Sequence, residues 1–231
     1  MLALLYDIHG NLAALEAVLA DAHERGTEAW FIGGDVALFG PWPEDTVARL
    51  HALEPATWIR GNGERWTADP DSAPEPVRGA TAAARKALGD ALVDELAALL
   101  ESAPLDDTTR AWHGSPVSDV RSFLPDPADD EAELLAGVTD ERLVFGHTHL
   151  PFARRSQIAP VDLVNPGSVG MPFDGDHRAA YALLHEDGTI AHHRVAYDHA
   201  AVPAALRERY GAADWVQTPE YRFTHARFGP P

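Results

Sequence analysis

Cysteine is absent from all 231 residues, which excludes both a disulfide framework and a thiolate metal site. Any ion held here must sit on histidine, aspartate, glutamate, asparagine or backbone oxygen. Lysine is almost missing as well: Lys86 stands alone among 18 basic residues, against 36 acidic ones, for a net charge of −18. So negative a surface repels nucleic-acid backbones and anionic membranes at long range, and no stable nucleic-acid binding is expected. No apolar run approaches the length of a membrane span. The N-terminal run Leu2–Tyr6 has no basic flank and stops at Asp7, unlike a secretory signal. These absences predict a cytoplasmic protein whose partner is a small molecule rather than a membrane; a homodimer is left open.

What is present has a globular balance, 45% hydrophobic and 23% charged. With no linker-like stretch, a single domain over 1–231 is expected, with a C-terminal helix and tail from about residue 199. Leu2–Tyr6 read as a buried strand and Asn11–Arg25 as an amphipathic helix, with Leu12, Leu15, Val18, Leu19 and Ala22 on one face. Ala29–Ile32 and Thr57–Arg60 read as strands on either side of a helix at Pro43–Leu53. This strand–helix alternation is the pattern of a parallel, helix-covered sheet. The leucine stripe Leu88, Leu92, Leu96, Leu99, Leu100 predicts one helix over Gly79–Ser102. Strands are predicted at Thr109–Trp112 and Leu143–Phe145, with a short helix near Asp129–Ala136 between them. Short, mostly antiparallel strands follow, including Ala179–Leu184 and Thr189–Val195, then a helix at His199–Arg209. The stretch after Gly211 shows little pattern.

Five polar clusters fall where predicted strands end: Asp7-Ile8-His9-Gly10-Asn11, Gly34-Asp35, Gly61-Asn62, His113-Gly114 and Gly146-His147-Thr148-His149. In open α/β sheets ligands bind beyond the carboxyl ends of strands, where residues remote in sequence converge. One Asp-x-His is more often a cap and a surface histidine, and Gly-Asp is common turn chemistry. Five such clusters at five strand ends are far harder to obtain from turns alone.

In that order the clusters resemble the signature of the calcineurin-like metallophosphoesterases. The likeness runs from Asp7 to Ser168, through Asn165-Pro166-Gly167-Ser168-Val169-Gly170, and is closest to the small bacterial branch of YfcE-like phosphodiesterases. The resemblance implies an α/β fold, a four-layer αββα sandwich of two mixed sheets, with a dinuclear centre between them. It assigns one ion to Asp7, His9, Asp35 and His149, and a second to Asp35, Asn62, His113 and His147, with Asp35 bridging. Such nitrogen and oxygen ligands suit Mn²⁺ first, with Fe, Co, Ni or Zn as alternatives. Two divalent ions less two aspartates and a hydroxide leave a locally positive site in an acidic protein. The implied reaction is hydrolysis of a small-molecule phosphoester, a phosphodiester or nucleotide before a phosphomonoester. In it a hydroxide between the ions attacks phosphorus in line.

One position departs from the family. Many members carry a histidine after the Gly-Asn pair to protonate the leaving group; here the segment reads Arg60-Gly61-Asn62-Gly63-Glu64. Glu64 and His177 are the candidate substitutes for that role. Asn62, Asn11 and Arg60 are candidate phosphate contacts, Asn11 doubling as a helix N-cap. The alternative to an enzyme with acidic leaving groups is a metal-loaded protein that binds a phosphorylated ligand and turns it over weakly.

Overall fold

The computed structural model describes residues 1–229, in the order β1 (Leu2–Leu5), α1 (Leu12–Glu24), β2 (Ala29–Ile32), α2 (Pro43–His51), β3 (Ala56–Trp58), α3 (Asn62–Ala68), α4 (Arg78–Leu88), α5 (Asp90–Ala97), β4 (Ser102–Pro104), β5 (Thr109–Trp112), α6 (Glu131–Leu134), β6 (Arg142–Val144), β7 (Phe152–Arg155), β8 (Asp162–Asn165), β9 (Ala179–Leu184), β10 (Ile190–Val195), α7 (Ala201–Tyr210) and α8 (Gln217–His225). Two five-stranded mixed sheets form, ordered β10-β9-β1-β2-β3 and β4-β5-β6-β8-β7. β1, β2 and β3 run parallel, as do β5, β6 and β8. The antiparallel strands predicted for the second half divide between the sheets: β9 and β10 complete the first, while β7 edges the second.

Alternation along each strand builds the layers. In β1 and β2, Ala3, Leu5, Trp30 and Ile32 face α1 and α2, together with Leu15, Val18 and Leu50. Leu4, Tyr6 and Phe31 point the other way, onto Ala111, Val144 and Val164 of the second sheet. With two buried faces the strands read as unbroken apolar runs rather than alternating ones. The outer face of the second sheet is covered by α6 and the loop carrying Phe123, which meets Leu143, Phe145 and Leu163.

Two expectations fail. The helix predicted over Gly79–Ser102 breaks at Gly89, whose φ of +78° ends α4 and starts α5. α5 ends at Ala97, and Ser102 already belongs to β4, a strand paired antiparallel with β5. Leu88, Leu92, Leu96 and Leu99 of the leucine stripe pack on the core as expected, but Leu100 is exposed, and the stripe was silent about a break that a left-handed glycine permits. The patternless stretch after Gly211 contains α8, whose Phe223 packs with Val202 and Leu206 of α7 and with Phe39 and Met171. With only Pro219 and Phe223 buried among its nine residues, α8 offers little periodicity to read. Among the described residues no helix is long and apolar enough to cross a membrane.

Candidate metal centre

The loops leaving β1, β2, β3, β5 and β6 meet at one edge of the sandwich. Backbone hydrogen bonds knit them together: His9 N donates to Asp35 O (2.9 Å), Gly146 N to His113 O (2.8 Å) and Gly170 N to Asp7 O (3.1 Å). Five residues of these loops, Asp7, His9, Asp35, His147 and His149, have φ between +51° and +67°. For non-glycine residues this left-handed region costs on the order of 1 kcal/mol each and persists where surrounding structure enforces it. The strain is concentrated on five of the seven residues read from the sequence as ligands.

Three imidazoles are oriented alike. The Nδ1 of His9, His113 and His149 lies 2.9, 2.9 and 2.6 Å from the carbonyl oxygens of Leu38, Gly33 and Met171 respectively. A carbonyl only accepts, so each Nδ1 carries a hydrogen and each Nε2 is the atom turned inward. The Nε2 atoms of His9 and His149 then face each other at 3.1 Å. Asp7 Oδ1, buried and without a hydrogen-bond partner, sits 3.4 Å from His149 Nε2. Lone pairs so arranged repel unless a cation lies among them. Asp7, His9 and His149 form one group with metal-ligating geometry, and Asp7, Asp35 and His113 a second. Asp7 is common to both groups, and Asp35 lies between histidines of each, its Oδ2 3.9 Å from His9 Nε2 and its Oδ1 3.5 Å from His113 Nε2.

Asn62 joins the His113 side. Its amide oxygen position lies 3.1 Å from His113 Nε2 and 2.8 Å from His147 Nδ1. With Asp119 O also 3.1 Å away, that position faces only acceptors, so it suits an amide nitrogen in the bare protein and an oxygen once a cation is present. His147 packs edge-on to His113 and donates its backbone N–H to Asp7 Oδ2 (2.9 Å). All seven sequence-read ligands therefore converge.

Electrostatics agree with a cation-binding role. Burial, reinforced by neighbouring histidines, pushes His9 down to about 3 and His147 to about 4, so both are neutral donors near pH 7. Burial works to raise Asp7, but His149, His113 and His9 hold its carboxyl below the ordinary range. Asp35 is raised, first by burial and then by Glu64 and Asp7 against the opposing pull of His113. A second carboxylate this deep calls for positive charge beside it.

The remaining candidates are placed differently. Glu64 is buried with both oxygens taken, accepting from Asp35 N (2.9 Å), Val36 N (2.9 Å) and Gly61 N (2.7 Å). It anchors the loop that carries Asp35 and has no free oxygen for a leaving group. His177 is outside the cluster, bonded to Thr224 O at 3.0 Å and stacked on His199. Asn11 caps α1 through Ala14 N and spends its amide on Gly170 O and Tyr197 Oη. Arg60 is turned to Glu101 and Ala97 O. At Gly63 the N–H donates to Asp35 Oδ1 at 2.6 Å, and a Cβ there would fall 2.8 Å from the same oxygen, so a side chain at this position requires Asp35 to shift. Sequence reasoning missed Phe173, which is stacked on His149 with ring centres 4.1 Å apart.

The sequence matches the Calcineurin-like phosphoesterase superfamily domain over residues 1–189. The chain belongs to that superfamily. The uncharacterized protein MJ0912 of Methanocaldococcus jannaschii is 29% identical over 220 residues, covering 86% of this chain and 88% of its own. Phosphodiesterase YfcE of Escherichia coli K12 is 29% identical over 191 residues, 78% of this chain and 85% of its own. The crystal structure of a metallophosphoesterase from Sphaerobacter thermophilus superposes with a TM-score of 0.81 at 27% identity, covering 97% of this chain and 98% of that one. The expected fold and family, including the likeness to YfcE, thus hold. The family is metal-dependent, and its activity makes this chain a phosphoester hydrolase.

Proposed function

We propose that this protein is a dinuclear metallophosphoesterase of small-molecule phosphodiesters or nucleotides. The observation that supports it best is the facing pair of Nε2 lone pairs beside the unpartnered Asp7 Oδ1. Asp7, His9, Asp35 and His149 would hold one ion, and Asp35, Asn62, His113 and His147 the other. The oxygens of Asp35 face both sides, as a bridging carboxylate requires. A donor set of imidazole, carboxylate and amide oxygen suits Mn²⁺, Fe, Co, Ni or Zn, and Mn²⁺ is the ion we propose to test first. When bound, such a pair supplies Lewis acidity toward phosphoryl oxygens and a water acidified to near-neutral pH.

The chain's own groups do the rest. The three Nδ1–carbonyl bonds fix the imidazoles before substrate arrives, so little reorganisation accompanies the reaction. Beside His113 a cleft of about 390 Å³, lined by Arg65, Ser115 and Asp119, offers room for a leaving group. Gly63 donates no proton, and Glu64 is committed to backbone amides. Substrates whose leaving group needs little protonation, diesters of acidic alcohols or phosphoanhydrides, therefore suit the site best.

A chelator should abolish hydrolysis of an aryl phosphodiester and Mn²⁺ should restore it; metal-independent turnover would contradict the proposal. Gly63 also motivates a second reading, a phospho-ligand binding protein with weak turnover. Full metal occupancy with no hydrolysis across a panel of phosphodiesters, nucleotides and phosphomonoesters would favour that reading.

A further inference from the structure

The C-terminal segment lies beyond the family match, which ends at residue 189, yet it reaches the His9–His149 edge of the site. Gly175 N donates to Ala226 O (2.9 Å) and His177 bonds Thr224 O, so α8 is tied to the loop that follows Met171. From α8, Arg222 places its guanidinium 5.4 Å from the ring centre of Phe173, 5.7 Å from Phe39 and 4.5 Å from Phe228. Phe173 in turn stacks on His149, and Phe39 lies 5.7 Å from the His9 ring. Nε donates to Phe228 O (3.0 Å), while the two Nη groups have no acceptor among the described residues. Most arginines of this chain pair with a carboxylate; among the described residues Arg222 has none. Burial lowers it to about 10, which leaves it charged at neutral pH, and its charge reaches His9. Arg227, two residues past α8 and also without a carboxylate partner, lies over Gly175 of the same rim.

Two features make this more than a packed cation. A rigid guanidinium on aromatic faces has lost the flexibility that weakens anion binding, and its free fork matches two oxygens of one phosphate. In a chain of net charge −18 few arginines lack a carboxylate, and where Arg78 and Arg142 spend their Nη groups on backbone carbonyls, those of Arg222 have no acceptor among the described residues. We propose that Arg222 is a substrate-binding residue that takes the phosphate adjoining the one under attack, so that the enzyme favours substrates with a phosphoanhydride over those with a single phosphate. The inference rests on the phosphoesterase reading for the attacked phosphate and assigns the C-terminal segment the second.

The test uses the full-length, Mn²⁺-loaded protein and its Arg222→Met and Arg222→Lys variants. Binding of inorganic pyrophosphate and of orthophosphate is measured by titration calorimetry, and KM and kcat for bis(p-nitrophenyl) phosphate by absorbance. Arg222→Met should weaken pyrophosphate about tenfold or more, with Arg222→Lys between it and wild type. Orthophosphate binding and the KM for the diester should stay within about twofold in both variants, because neither ligand reaches a second phosphate position. Unchanged pyrophosphate binding, or equal weakening of both anions, would overturn the proposal; the latter would make Arg222 a brace for Phe173 and His149. Wild-type protein that binds pyrophosphate but cleaves no phosphoester would count against the proposed function and leave this inference standing.

Discussion

The two edges of the site are built on opposite plans. On the His9–His149 edge the walls are aromatic, with Phe39 and Phe173 against the imidazoles and Arg222, which has no carboxylate partner among the described residues, against the same rings. On the His113–Asn62 edge the wall is a polar cleft whose arginines are already neutralised, Arg65 in a bidentate pair with Asp119 (2.6 and 2.7 Å) and Arg60 with Glu101. An arginine paired with a carboxylate has little attraction left for a phosphate; one held on aromatic rings keeps its charge available. The charge that serves an anionic ligand is therefore supplied on one side only, and room on the other.

The lesion that should erase the distinction is Asp35→Asn, since Asp35 faces both edges. It is expected to lower kcat/KM on the order of 10³-fold or more, and elemental analysis should find both ions depleted. Near-wild-type activity would remove Asp35 from the proposed bridge. His9→Ala and His113→Ala should instead separate the edges. Each is expected to lose about one ion and on the order of 10²-fold in activity, with the remaining ion on the opposite side. Loss of both ions from either variant would mean that the two edges bind as one unit.

Phe173→Ala removes the ring stacked on His149 without touching a ligand. About tenfold weaker binding of one ion is expected, read by competition with a metal indicator, while Val117→Ala in the opposite cleft should change nothing measurable. Equal effects of the two would deny the aromatic edge a special role. The smallest effect on chemistry should come from Glu131→Gln, away from both edges. Burial works to raise Glu131, but its bonds to Arg154 and Ser156 bring its carboxyl below the ordinary glutamate value. A lowered carboxyl contributes stability that is present above the unfolded value and lost as pH falls through the folded one. Glu131→Gln should thus cost about 3 kcal/mol near neutral pH, a difference that shrinks below about pH 4.5, with kcat unchanged. Denaturant melts at several pH values would show it.

The polar clusters were legible because turn chemistry is local: Asp7, His9, Asp35, Asn62, His113, His147 and His149 each follow a short apolar run, and the family resemblance is what suggested ions for them. The capping role of Asn11 was legible for the same reason, as a polar residue immediately before an apolar helix face. Glu64 was misjudged because a carboxylate read singly looks like a free acid, and only folding brings three backbone amides onto it. Gly63 showed that a proton donor is missing; only the structure showed that Asp35 occupies the space a side chain would need.

By itself the sequence determined which atoms were available for a cation and that strand ends would carry them, because strand period and turn chemistry act over a few neighbouring residues. The tertiary structure decided which nitrogen of each imidazole faces inward, where Asp35 stands between histidines of the two groups, and that an arginine more than two hundred residues from Asp7 overlooks the same edge. Those are properties of packing between distant segments, set by carbonyls and rings that no local pattern announces.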